Sequence, residues 1–335
     1  MMLTKEDCNM TKYASDALHV ATHLSCSIQP TYAYDLIGSE RSAKALGKSK
    51  TTSMFAKQKS QNSHGALSLS KPVELIRSMY PLVTGSPVTN GMLAVRLKPE
   101  NELFIQFIKQ IGPMVNVGIY CDDQYFSNKM TGYQYTLNTR QVNEKSSAWD
   151  AEQVRIEELF DSTMKAIIKD NSGFETHELN LPMQFTLSAN TTTYSKKQYL
   201  DQQKKDMIAV FLNESGNNDV IAVFSKWELT PQGQLALRLV FLLERQFIDD
   251  PIGLSDENAF VALQGNLEGL FNCKAYPVPM ALNGFMQTNR FFKGDPKYKD
   301  LIKLLKTYLV GTDTILRIWD TQSGFDVLYS KFKAS

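Results

Sequence analysis

The chain has 335 residues, 36 Lys and Arg against 35 Asp and Glu, a formal net charge of +1, and 43% hydrophobic residues. That balance excludes a disordered chain or a uniformly polycationic one and supplies apolar surface for one large domain or two modest ones. Cys8, Cys26, Cys121 and Cys273 are too scattered for a disulfide framework, the opening MMLTKEDCNM lacks the apolar core of an export signal, and the longest apolar run, Leu235–Leu243, is broken by Arg238 and too short for a bilayer. The expectation is an intracellular protein, cytoplasmic or nuclear, that does not enter a membrane.

Three units are expected: an N-terminal segment with a basic flexible loop (1–68), an α+β core (69–250), and a C-terminal helix and hairpin packed on that core (251–335). In the first, Ser15–Cys26 is apolar-periodic, and on a helix His19, His23 and Cys26 would share a face. Nothing nearby supplies a fourth ligand, so no metal or cofactor is expected. Thr31–Ile37 reads as a strand. Residues 38–64 hold Arg41, Lys44, Lys48, Lys50, Lys57 and Lys59 against Glu40 alone, a local imbalance hidden by the net charge. Within them Ser42-Ala-Lys-Ala-Leu-Gly47-Lys48-Ser49 nearly matches a phosphate-binding loop, with Ser42 in place of the first Gly. Val115–Asp123 imitates the strand ending in a magnesium-binding Asp. The segment after Ser49 lacks the amphipathic helix such a loop requires, so a mobile basic loop is the better reading.

In the core, Ser70–Tyr80 is a short helix that Pro81 ends, Gly91–Lys98 a strand, and Asn101 caps a helix with Leu103, Phe104, Phe107, Ile108 and Ile111 on one stripe, stopped by Gly112-Pro113. Val115–Tyr120 and Met130–Val142 read as strands, the second with Tyr133 and Tyr135 at one parity and Arg140 beyond. Ser147–Ile168 is a helix with Ser147 and Asp150 at capping-box spacing. After a strand at Leu179–Leu187 comes the centre of the core, Met207–Ile248, read as a meander of three antiparallel strands. In Leu235–Ile248, Leu235, Leu237, Leu239, Phe241, Leu243 and Phe247 share one parity while Arg238, Glu244 and Gln246 share the other, the signature of a half-buried sheet. Trp227 falls on the core parity, while Lys226 and Arg238 face the other way, toward a ligand. The chain ends with a helix after Pro296 and a hairpin, Thr314–Trp319 with Phe325–Phe332. The fold expectation is α+β, a mainly antiparallel β core, either an OB-like barrel or a meander sheet, with several flanking helices.

Hydrolytic, zinc and dinucleotide motifs are absent. What recurs is cations beside aromatics: Tyr133, Tyr135 and Arg140; Lys196, Lys197 and Tyr199; and Arg290, Phe291, Phe292 and Lys293. Single-stranded nucleic acid is held by such pairs, cations following phosphates and rings stacking on bases. Each has a bland counterpart: Phe291 and Phe292 read equally as a staple, and Lys196–Lys205 as a solvated face.

The polar basic stretch Ser195–Asp206 running into MIAVFL, a turn and VIAVFSKWEL, with a strand Gly91–Lys98 and helix Glu102–Ile111 upstream, resembles the single-stranded DNA-binding proteins of poxviruses and other large DNA viruses. The resemblance covers roughly residues 70–245 and implies an OB-like core without catalytic residues. The ending Lys331-Phe-Lys333 departs from that family's acidic tail. The reading is non-catalytic binding of single-stranded nucleic acid, with DNA in replication or recombination the expected ligand, together with self-association and no small-molecule substrate. Its alternatives are a structural or assembly subunit such as a viral coat protein and, further off, a nucleotide hydrolase.

Overall fold

The computed structural model describes residues 39, 42–55, 69–85, 96–116, 122–186, 201–202, 204–206, 208–209, 212, 220–229, 234–244, 264–266, 268–269, 276–277, 290–314, 316–317 and 324–332. The expected elements at Ser15–Cys26 and Thr31–Ile37 lie outside them.

Among the described residues, four helices of 15 residues or more precede the six-stranded sheet. Helix α1 (Lys71–Gly85) runs through Pro81, and α2 (Pro99–Asn116) through Pro113, so neither proline ends its helix. A proline removes one backbone bond and kinks a helix, but tertiary packing can hold both sides. That packing is visible at Gly112, where a Cβ would run into the Tyr80 ring. Gly112 therefore lets α1 and α2 approach closely, and Val115 belongs to α2 rather than to a strand. Helix α3 (Asp123–Leu137) replaces the strand expected at Met130–Val142: Phe126, Met130 and Tyr133 are buried at i, i+4 and i+7. Helix α4 (Arg140–Asp170) starts earlier than Ser147, with Thr139 Oγ1 accepting from the Val142 N–H. Its buried residues, from Val142 through Trp149, Ile156 and Phe160 to Ile167, form one seam along a helix of 31 residues, about 45 Å long at 1.5 Å per residue.

The strands β2 (Gly173–Thr186), β3 (Val220–Leu229), β4 (Gln234–Glu244), β5 (Tyr276–Pro277), β6 (Arg290–Phe292) and β8 (Phe325–Ser330) make one antiparallel sheet in the order β5-β2-β4-β3-β8, with β6 beside β5 along the same edge of β2. The sheet is open, so the barrel expectation is not met while α+β with an antiparallel sheet is. The meander is corrected too. Residues 208–209 and 212 are helical, and the third strand beside β4 is β2. Helix α5 (Tyr298–Val310) and a 3₁₀ turn (Gly311–Thr314) precede β7 (Leu316–Arg317), which pairs with β1 (Arg96–Leu97), not with β8 as a terminal hairpin would.

Both faces of the central strands are covered, which is why residues 220–227 and 236–242 are buried without alternation. On one face, Phe224, Val240 and Leu242 pack with Ile156, Phe160 and Met164 of α4 and Leu301, Leu305 and Tyr308 of α5. On the other, the Trp227 indole N–H donates to Asp201, and Lys204 lies 5.6 Å from its ring. A separate apolar cluster joins residues 43–54 to α1, α2 and α3.

Candidate functional site

Two sets of charged residues stand out, one buried beneath α5 and one exposed along α3. Arg238, expected to face a ligand, is 1% exposed and donates to Glu178 across the β4–β2 pair. Glu178 also accepts from the Tyr308 hydroxyl at 2.8 Å, and the guanidinium lies 5.0 Å from the Tyr308 ring. Lys226, 2% exposed, donates to the Tyr308 carbonyl and lies 3.8 Å from Asp313, whose other oxygen accepts from the Gly324 N–H. Both cations are thus absorbed in the layer between sheet and α5. Burial of an ionised side chain costs several kcal/mol unless it is paired, so the partners Glu178 and Asp313 are what allow these cations to sit there.

The same holds for two aromatics. Tyr133 is 6% exposed, stacks on Phe107 at 4.6 Å and donates to the Ala43 carbonyl. Burial, with Glu100 adding to it, pushes its hydroxyl pKa far up. Phe291 is fully buried, stacked on Phe174 at 4.7 Å, so of the two readings the staple holds and the base platform does not. Its neighbour Phe292 is half-buried. Arg290 pairs with Glu175, and Lys293 is exposed. Lys204, 1% exposed against Asp201 and Trp227, is held below its ordinary pKa chiefly by burial. Arg41, Lys57, Lys59, Lys196, Lys197 and Tyr199 lie outside the described residues, as do His19, His23 and Cys26; among the described residues no group of His, Cys, Asp or Glu could hold a metal.

What remains converges on α3. Residues 42–55 are not a loose loop but a strap laid along that helix. At its C-terminal end, Tyr133 bonds the Ala43 carbonyl and the Gln134 amide donates to the carbonyls of Leu46 and Ser49. At its N-terminal end, Ser127 donates to Thr52, while the Ser53 hydroxyl and the Met54 N–H donate to Asp123. The bridge Phe55↔Leu69 ties the strap onward to α1. Residues 42–47 are helical, with the Lys48 N–H bonded to the Lys44 carbonyl, so they do not form the open nest of N–H groups that a phosphate-binding loop needs. The Asp123 carboxylate is occupied by the strap.

This arrangement leaves Lys44, Lys48 and Lys50 exposed along the flank of α3. Tyr135, two residues and about 200° round the helix from Tyr133, is 77% exposed. Tyr125, 40% exposed, carries the Lys129 ammonium 5.5 Å from its ring. Arg140, exposed and paired with Glu144, begins α4 just beyond. The strap, Tyr135 and Arg140 therefore share one corner, whereas Arg290, Phe292 and Lys293 sit near the far end of α4, about 45 Å away by helix length. Tyr125 and Lys129 were missed in the sequence because a strand was expected beside them rather than a helix. No family model, curated protein or solved structure matches this chain. Among the described residues no helix is long and apolar enough to cross a membrane.

Proposed function

We propose that this protein binds single-stranded nucleic acid without catalysis, through the face built by α3 and its strap. The supporting observation is that α3 carries two exposed rings, Tyr125 and Tyr135, with the half-buried Lys129 beside the first, and that the strap held along the same helix exposes Lys44, Lys48 and Lys50. Each element supplies one half of what a single strand requires. Cations meet the phosphates and release counterions, and rings stack on bases that a duplex would hide. The likeness to viral single-stranded DNA-binding proteins supports the same reading through the order of polar and apolar stretches alone.

Fluorescence anisotropy with a labelled oligo-dT, titrated at two salt concentrations beside a matched duplex, tests it. Binding should favour the single strand, Tyr135→Ala should weaken it by roughly 1–3 kcal/mol, and Lys44→Gln with Lys48→Gln and Lys50→Gln should flatten the salt dependence. Equal or negligible binding to both oligonucleotides would end this reading.

A further inference from the structure

Among the described strands, β8 closes one side of the sheet. It pairs inward with β3 from Phe325↔Lys226 to Ala222↔Ser330, and beyond it the Lys331 N–H donates to the Ile221 carbonyl. Exposed edges are ordinarily blunted by proline, by charged side chains, by bulges or by shortness, and β8 carries one charge, Asp326, and one bulge; the commonest devices are proline and lysine. Phe325–Ser330 contains neither, and residues 326–330 are half-buried rather than covered. The register slips once, between Val223↔Tyr329 and Phe224↔Val327, so Leu328 is an extra residue in β8.

That slip matters for how the edge could pair. The stretch Phe325-Asp-Val-Leu-Tyr-Ser-Lys-Phe332 is complementary to itself when reversed: a two-fold axis between Leu328 and Tyr329 sets Phe325 opposite Phe332, Asp326 opposite Lys331, Val327 opposite Ser330 and Leu328 opposite Tyr329. Residues facing each other across an antiparallel pair must point to the same side of the sheet. In a regular strand Phe325 and Phe332, seven apart, would point to opposite sides. The extra residue reverses the alternation, and both in fact pack against the core under α4 and α5. We infer that two copies of this chain pair antiparallel through β8, joining their sheets into one of twice the width.

The charges agree with that register. Asp326 is paired with Lys205 at 3.0 Å and Lys331 with Glu244 at 3.4 Å. Two-fold pairing would therefore line up Lys205, Asp326, then Lys331 and Glu244 of the second copy, with alternating sign, and would do so twice per dimer. Such rim charges fix register more than they add affinity, which the backbone bonds and the apolar contacts supply. The contact is isologous and consumes both edges, so it closes at two copies and does not propagate into a filament or shell.

Sedimentation velocity on the full chain without nucleic acid, over rising concentration, should show a monomer–dimer equilibrium and no larger species. Asp326→Lys and Lys331→Asp should each weaken dimerisation roughly tenfold, since each places two like-charge pairs across the axis. The double exchange Asp326→Lys with Lys331→Asp should recover it. Hydrogen exchange of residues 325–330 should slow as the dimer forms, a readout independent of any variant's folding. A monomer at every concentration up to about 100 times the micromolar range typical of a weak dimer, growth beyond two copies, or a double exchange no better than either single one would overturn the inference. None of these outcomes depends on oligonucleotide binding.

Discussion

Arg238 and Glu178 show how one side chain decides another's fate. With Glu178 in place, the guanidinium has a charged partner inside the layer between sheet and α5. Glu178→Ala leaves it charged and buried, and should cost about 3–5 kcal/mol in urea unfolding. Replacing both, Glu178→Leu with Arg238→Met, should recover most of that loss; a double variant as unstable as the single one would mean the pair is not the reason for the cost. Strand alternation correctly placed Arg238 and Lys226 on the side opposite Trp227. It could not say what covers that side, because α5 arrives there from some sixty residues later in the chain. His177, one residue from Glu178, is held below its ordinary pKa of 6.5, chiefly by burial, with Glu175 opposing. Its folded form releases the proton more readily than its unfolded form, so its contribution to stability is full above the unfolded value and falls as pH drops through the lowered one. His177→Gln should therefore flatten the decline in melting temperature just below pH 6.5, and an unchanged slope there would remove His177 as its source.

At the scale of elements, α3 is the clearest misreading and the most instructive. Tyr133 and Tyr135 share a strand parity, yet Phe126, Met130, Tyr133 and Leu137 repeat at helical spacing, and burial follows that repeat. The apolar positions were legible; the choice of period was not, because Gly132, Thr131 and Thr136 weaken the helical signal. The strap was illegible for a different reason, since its contacts bridge some 70 to 90 residues. Asp123 is its anchor at one end, accepting from Ser53 and from the Met54 N–H at 2.6 Å. Asp123→Ala should cost about 1–3 kcal/mol by leaving those donors unmatched. If the strap presents the cations, that variant should also weaken oligo-dT binding although it removes a negative charge. Tighter binding would show that Asp123 only repels the ligand.

Across the whole molecule, an α+β class and an antiparallel sheet were readable from alternating apolar runs and turn residues, while the pairing partners were not. Nothing local tells β7 to leave β8 and join β1, some 220 residues upstream. The reason lies in packing at the junction of the two apolar clusters. Arg317 of β7 is 1% exposed, lies 4.0 Å from the Trp149 ring and donates to the Trp149 carbonyl, while the Trp149 indole N–H donates to the Thr314 carbonyl. Burial lowers the Arg317 pKa, with Asp313, Glu152 and Asp150 drawing it back up. This knot fastens the middle of α4 to the turn after α5, and β1 fastens the same place to the helical cluster, with Lys98 reaching Asp150 at 2.7 Å. The clusters are thereby made to unfold together, and calorimetry of the wild-type chain should give one transition whose calorimetric and van't Hoff enthalpies agree. Arg317→Ala removes the guanidinium from the knot while leaving each cluster's apolar contacts intact. It should split or broaden the transition, the sheet and its two helices melting apart from α1, α2 and α3. A single sharp transition merely moved to lower temperature would mean that the continuous helix α4 alone is enough to couple the two halves.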